Sequence, residues 1–288
     1  MSNKVAILSM DIEDWYHLDY FDSLNCDKNY TLLDGVNNYL NILDDFNLPS
    51  NFFVLGEIAG SLKLILRQIK KLNHDIGSHG WTHERPITMS KSSFSDELKK
   101  SKLVIEDIIN DQVDGYRAPC FSLDRERLDL VKKAGFLYDS SRIDFNTHPL
   151  YNTIEMNGFN KNQRKVYFDN KGFFEFEVST VDFIGRKMPI SGGGYIRIFP
   201  WKLYEYFLRT YLRSGQIFIF YIHPFELSNK SNPKFNKNIS WLNKRRFSYG
   251  RKTTMKKLVR LIELLKSQNY SFMTFTELRK EIILKNKF

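Results

Sequence analysis

The sequence predicts an α/β fold of parallel strands with covering helices, and three observations carry that prediction. Short apolar runs of strand length alternate with longer stretches whose apolar residues recur at helical spacing. The polar residues best suited to chemistry follow the apolar runs, at strand C-terminal ends, where α/β folds gather their sites. The chain has 288 residues, 42% of them apolar, which suffices for one large core. An aromatic share of 15% argues against disorder.

The elements follow in order. Val5 to Met10 reads as a buried strand. Leu33, Val36, Tyr39, Leu40 and Leu43 put a helix over 32–46. Asn51 to Leu55 is a second strand, closed by Gly56. Leu62, Ile65, Leu66 and Ile69 give 58–72 one apolar helical face, and Asp75 to Ser78 ends a third strand. Phe94, Leu98, Ile105, Ile108 and Ile109 mark another amphipathic helix. Val113 to Tyr116 is a short strand. Asp124 caps a helix running to Ala134, where Gly135 stops it. Phe173 to Val178 is a strand, and Pro200 opens a helix through Arg213. Gln216 to Ile222 is a strongly apolar strand. A helix over Lys256 to Lys266, a strand over Phe272 to Phe275 and a helix over Thr276 to Ile283 complete the chain. Two stretches break the rhythm: 139–172, rich in Asn and turn residues, and the basic 228–254. Both read as insertions beside the site of a single domain spanning 1–288.

Charge and cysteine content bound the partners. The net charge is +10, and residues 228 to 257 hold ten Lys or Arg and no acid, leaving the rest of the chain balanced. Such a segment is either a solvated loop or a patch for a nucleotide sugar, a lipid diphosphate or an anionic membrane surface. No nucleic-acid module is visible, so no nucleic-acid partner is expected. Two cysteines, Cys26 and Cys120, exclude a disulfide scaffold and make a reducing compartment the default. The first apolar run is too short for a signal-peptide core, and Ile217 to Ile222 is far below membrane-spanning length. The expected location is the cytoplasm.

Four motifs could carry chemistry. His79-Gly80-Trp81-Thr82-His83 sets two imidazoles four residues apart after a strand. With a carboxylate from elsewhere they make a three-ligand set that leaves a metal position open for water. Zinc is the commonest ion for such a mix, though it also suits Fe, Co, Ni or Mn. Asp11-Ile12-Glu13-Asp14 crowds three acids at another strand end, a repulsion that either a cation or solvent relieves. Arg117 follows a short strand, with Pro119 stiffening the turn after it, and can fix a carboxylate through two hydrogen bonds. His223 sits just past the most apolar strand, well placed as a general acid. Taken singly, each also fits a bland role: a surface histidine pair, an acidic turn, a surface arginine or a polar strand cap.

Their order is more specific: acidic cluster, Asn51-Phe52-Phe53-Val54-Leu55-Gly56, His-x-x-x-His, Arg-x-Pro, then a late strand ending in His. From Val5 to about Phe225 it resembles the polysaccharide deacetylase family, the NodB-homology carbohydrate esterases. Asp-Ile-Glu-Asp-Trp-Tyr-His and Gly192-Gly193-Gly194-Tyr195 look like the cytoplasmic-type branch found with surface-glycan genes. The resemblance implies a distorted (β/α) barrel of about seven strands. It also implies metal-dependent removal of an N-acetyl group from an amino sugar in surface-polysaccharide synthesis of the O-antigen or capsule type. Asp11 would be the general base, Arg117 its orienting partner and His223 the acid for the leaving amine. His79 and His83 would be metal ligands. Pro119, Cys120, Trp15 and Tyr195 would bind substrate, with a backbone N–H near Cys120 holding the oxyanion. Substrate would be a nucleotide- or lipid-linked sugar or a glycan precursor, and the cofactor a divalent metal, first of all Zn²⁺.

The acidic ligand is open between Glu13 and Asp14. Strand alternation puts Glu13 on the side of Asp11 if the strand continues, whereas a turn after Ile12 favours Asp14. A partner for His223 is not evident; Asp139 and Asp182 are the candidates, and His17 could line the pocket or serve as a cap. The alternatives are hydrolysis of another amide, such as a sugar formamide or cyclic amide, and a glycan-binding module with a decayed site.

Overall fold

The computed structural model describes residues 4–21, 26–145, 148, 150–162 and 165–286. Its strands are β1 (Val5–Ile12), β2 (Asn51–Val54), β3 (Asp75–Ser78), β4 (Gly115–Tyr116), β5 (Tyr138–Asp139), β6 (Asn160–Lys161), β7 (Val166–Phe168), β8 (Phe174–Phe176), β9 (Thr180–Phe183), β10 (Arg186–Pro189), β11 (Phe218–Ile222) and β12 (Ser271–Phe272). Its helices are α1 (Asp34–Phe46), α2 (Gly56–Ala59), α3 (Lys63–Lys71), α4 (Lys91–Ile109), α5 (Arg125–Lys133), α6 (Gly193–Ile198), α7 (Trp201–Leu212), α8 (Pro224–Leu227), α9 (Trp241–Ser248), α10 (Arg251–Ser267) and α11 (Phe275–Asn286).

The strands β11-β1-β2-β3-β4-β5-β8 run parallel in that order, which gives the seven-stranded, distorted (β/α) barrel. Antiparallel β7 and β6 extend the β8 edge, and β12 pairs with β1. Loop backbone spans the gap between β8 and β11. The Tyr221 N–H donates to the Ser191 carbonyl (2.8 Å), and the Ile219 N–H to Ser179 Oγ (3.0 Å). The segment 139–172 supplies β6 and β7, and 228–254 supplies α9.

Strand alternation sorts the core. Along β1, Ala6, Leu8, Met10 and Ile12 face the helix layer in the main cluster, while Val5 and Ile7 point into the barrel. The barrel floor is apolar: Val5, Ile7, Phe53, Phe174, Phe176 and Ile219 pack with Phe275, Leu278 and Ile282 of α11, which plugs that end. Further along β1 the inward positions become Ser9 and Asp11, both buried. The polar layer therefore lies at the strand C-terminal ends, over an aromatic floor.

Most elements lie where the periodicity puts them. Asp124 caps α5, its Oδ1 accepting the Arg127 N–H (2.8 Å). Asn47 and Asn110 end α1 and α4 in the left-handed region, at φ 51° and 52°. The helix expected over 58–72 is instead two helices joined by a 3₁₀ turn, Gly60–Leu62. Ser61 Oγ donates to the Ile58 carbonyl (2.7 Å), competing with the helical ladder at the break. The strand expected over 272–275 is only β12, because Phe275 already starts α11.

Candidate active site

The first half of the site grows from β1, β3 and the end of β4. Asp11, inward on β1, accepts a hydrogen bond from Arg117 Nη1 at 2.9 Å (Oδ1). Arg117 is fully buried. Its other hydrogen bonds go to Ser9 Oγ (2.8 Å), the Ser140 carbonyl (3.1 Å) and Ser140 Oγ (3.0 Å). Its guanidinium stacks on the Phe53 ring, 4.3 Å from the centroid, so the aromatic floor carries it.

Beyond Ile12 the chain turns tightly, the Glu13 N–H donating to the Asp11 carbonyl (3.0 Å). This is the turn expected to favour Asp14, yet Glu13 stays on the inner side, and its Oε2 lies 2.7 Å from His83 Nε2. Asp14 is turned away from this cluster, which corrects its candidacy as a metal ligand. It caps a 3₁₀ turn over Trp15–His17, its Oδ1 accepting the Trp15 N–H (2.8 Å) and the Leu32 N–H (2.9 Å). His17 completes that cap through Nδ1 and pairs with Glu57 through Nε2 (3.0 Å).

His79 follows β3, its N–H bound to the Val54 carbonyl. Gly80 at φ 89° then turns the chain, a conformation that costs glycine little, and His83 comes back beside His79 with ring centroids 5.5 Å apart. One donor atom each of Glu13, His79 and His83 lies within 4.8 Å of the others. These residues fit a divalent cation. His79 Nδ1 lies 2.8 Å from the Arg117 carbonyl, so an Nδ1–H donated there leaves Nε2 as a lone-pair donor. His83 Nδ1 is buried without a hydrogen-bond partner among the described residues, and Glu13 Oε2 faces His83 Nε2. Burial, partly offset by Asp11, pushes His79 down to about 4, which keeps it the neutral imidazole a metal needs. Burial opposes charge on Glu13 too. There His83, His223 and His79 outweigh it and hold the carboxyl well below the usual range. His83 is raised: its burial is overcome by Glu13.

The second half comes from β11 and α8. His223 Nε2 lies 3.4 Å from Glu13 Oε1, and its Nδ1 lies 3.2 Å from Glu226 Oε2. Glu226 Oε2 also accepts the His223 N–H, and Arg197 Nε stands 3.2 Å from its Oε1. Gly193 is required here, since a Cβ at that position would sit 1.9 Å from Glu226 Oε2. Burial alone would lower His223, but the Glu226 hydrogen bond with Glu13 and Asp11 raises it to about 9. Glu226 and Arg197 escaped the sequence reading. The available signal was the spacing in His223-Pro224-Phe225-Glu226, three residues apart in a proline-opened helical turn. Neither Asp139 nor Asp182 serves His223: Asp139 bonds Ser141, and exposed Asp182 pairs with Lys187.

Between the halves lies a pocket of about 180 Å³, lined by Asp11, Glu13, both histidines of the pair, His223, Cys120 and Tyr195, among others. Two expected substrate contacts do not line it. Trp15 is buried in a satellite cluster with Phe21, Phe225 and Phe247, its Nε1 donating to the Tyr30 carbonyl (2.7 Å). Pro119 is buried as the first residue of a 3₁₀ turn, where its lack of an N–H costs nothing. That turn holds Cys120 and Phe121 at φ 54° and 53°, a local strain of about 1–3 kcal/mol each. The Phe121 and Ser122 amides bond back to the Ala118 and Pro119 carbonyls, and among the described residues the N–H of pocket-lining Cys120 has no partner.

Comparison with known proteins sets this geometry in context. Residues 22–138 match the family model described as polysaccharide deacetylase, and residues 146–280 match a domain of unknown function, DUF3473. A peptidoglycan deacetylase of Helicobacter pylori is 30% identical over 117 residues, 41% of this chain and 40% of that protein, so well under half of that relative is spanned. Among solved structures, a putative polysaccharide deacetylase from Mycobacterium smegmatis has TM-score 0.62 at 18% identity, covering 99% of this chain and 92% of the other. A CE4 family pseudoenzyme from Bacillus anthracis has TM-score 0.56 at 16% identity, covering 96% and 66%. At these identities the structures speak to the fold alone. Any activity has to be argued from this chain's own residues.

Proposed function

We propose that this chain, which belongs to the polysaccharide deacetylase family, hydrolyses the N-acetyl group of an amino sugar with the help of a divalent metal, zinc first. One observation carries the reading. The Glu13, His79 and His83 donors are flanked by a carboxylate–arginine pair on one side and a histidine–carboxylate pair on the other. A cation held by those three donors would supply an activated water and polarise the acetamide carbonyl. Asp11, fixed by Arg117, accepts the proton of that water. The Cys120 N–H donates to the oxygen that becomes negative as the carbonyl is attacked. His223, protonated at neutral pH, delivers its proton to the sugar nitrogen as the C–N bond breaks. Glu226 holds the imidazole in the orientation for that transfer. Acetate and a free amine leave.

The substrate in this reading is a nucleotide- or lipid-linked sugar or glycan precursor of surface-polysaccharide synthesis, met in the cytoplasm. Arg246 at the pocket wall supports a phosphate-bearing substrate. The described helices include none long and apolar enough to cross a membrane. Purified protein loaded with zinc should release acetate, not formate, from N-acetylated sugar phosphates. Asp11→Asn should lose at least about 10²-fold in rate. Full activity in that variant, or release of another acid, would sink the proposal.

A further inference from the structure

The pocket's wall is where this chain's second half meets its first. Cys120 Sγ contacts Asp19 Oδ2. The neighbouring Tyr20 ring lies under the Arg246 guanidinium, 4.8 Å from its centroid. The Arg246 carbonyl accepts a hydrogen bond from Arg197 Nη1 (3.0 Å), in α6. Tyr195, two residues earlier in α6, has its hydroxyl close enough to Tyr151 to perturb it. The Tyr151 ring packs edge-on against Phe121 at 5.4 Å, and Phe121 adjoins Cys120. All of these residues line the pocket, so among the described residues the contacts close into a ring.

A polymer deacetylated at internal units needs a groove open at two ends, so that chain can leave on both sides of the reacting sugar. A closed ring has one mouth. The volume agrees: about 180 Å³ is below the roughly 300–1,000 Å³ of clefts that enclose drug-sized ligands. We infer that the site is a blind pit taking one N-acetylated sugar end-on, as a monosaccharide derivative or a chain terminus, and excluding internal units of a polysaccharide strand. The inference rests on the proposed N-deacetylase reading for its chemistry, but the shape of the pit stands apart from that reading.

The test uses the zinc-loaded full chain and linear N-acetylglucosamine and N-acetylgalactosamine oligomers of one to six units, with products mapped by mass spectrometry. Removal of acetyl from one terminal unit, at least about tenfold faster than from any internal unit, is the expected result. Deacetylation spread along the hexamers would overturn the pit. Tyr20→Ala, which removes the ring under Arg246, should raise the share of internal deacetylation; an unchanged pattern in that variant counts against the ring as the cause. Should no acetate appear from any oligomer, the deacetylase reading fails for these sugars, and saturation-transfer NMR on the hexamers still decides the shape. Saturation confined to one terminal unit supports the pit, and saturation over internal units, or no binding at all, overturns it.

Discussion

Arg117→Met is the sharpest perturbation of this site. The methionine keeps roughly the length of the side chain but removes a guanidinium that is fully buried and bonded to Asp11, Ser9 and Ser140. Ser9 Oγ and Ser140 Oγ keep their bonds to the Phe220 and Phe176 carbonyls, so neither hydroxyl is orphaned. Asp11 is the group left stranded, 2% exposed and without its cation. Breaking a buried ion pair on one side costs about 3–5 kcal/mol. For a chain of 288 residues that corresponds to a fall in Tm of roughly 5–8 °C. Calorimetry on the metal-free protein measures it directly. The double variant Asp11→Asn/Arg117→Met removes the stranded charge and should regain at least about 2 kcal/mol over Arg117→Met alone. If the double variant is no more stable than the single, the stranded-carboxylate argument is refuted, and the loss belongs to packing on Phe53 instead.

The acidic ligand is decided by metal content. Glu13→Gln should purify with less than about a tenth of the wild-type zinc by elemental analysis. Asp14→Ala should keep the zinc and lose about 1 kcal/mol of stability through its cap. Glu226→Gln tests the acid. His223, raised to about 9, gives up its proton only as pH passes that value, so the alkaline limb of kcat/KM should fall near pH 9 in the wild type. The variant should bring that limb down by about 1–2 pH units, and an unmoved limb would show that Glu226 does not tune His223.

How much of this was legible depends on how local each signal is. His223 could be read because it follows a strongly apolar strand, whereas the histidine pair and Arg117, after the weakly apolar runs 75–78 and 113–116, could be read only from their order in the set. The side of Glu13 is not fixed by alternation, because β1 ends at Ile12 and the tight turn after it, expected to favour Asp14, keeps Glu13 inward. Trp15 misled: the resemblance implied a substrate contact, but its neighbours in space, Phe21 and Phe247, are set by chain paths that a linear reading does not supply. The same limit hid Arg197 and the Tyr20–Arg246 contact, whose members lie 29 residues from Glu226 in the one case and 226 residues apart in the other.

Those hidden contacts share a source. The histidine pair and Arg117 fall within residues 22–138, matched by the deacetylase model, whereas His223, Glu226, Arg197, Tyr195 and Arg246 fall within 146–280. Asp11 and Glu13 precede both. Neither matched segment contains a whole site. In the proposed reading the first carries two of the three metal donors and the base's partner, while the second carries the acid and half of the pocket wall. In that reading the group that protonates what leaves, and half of the wall that decides what enters, are built by the second segment, so the first segment alone specifies neither.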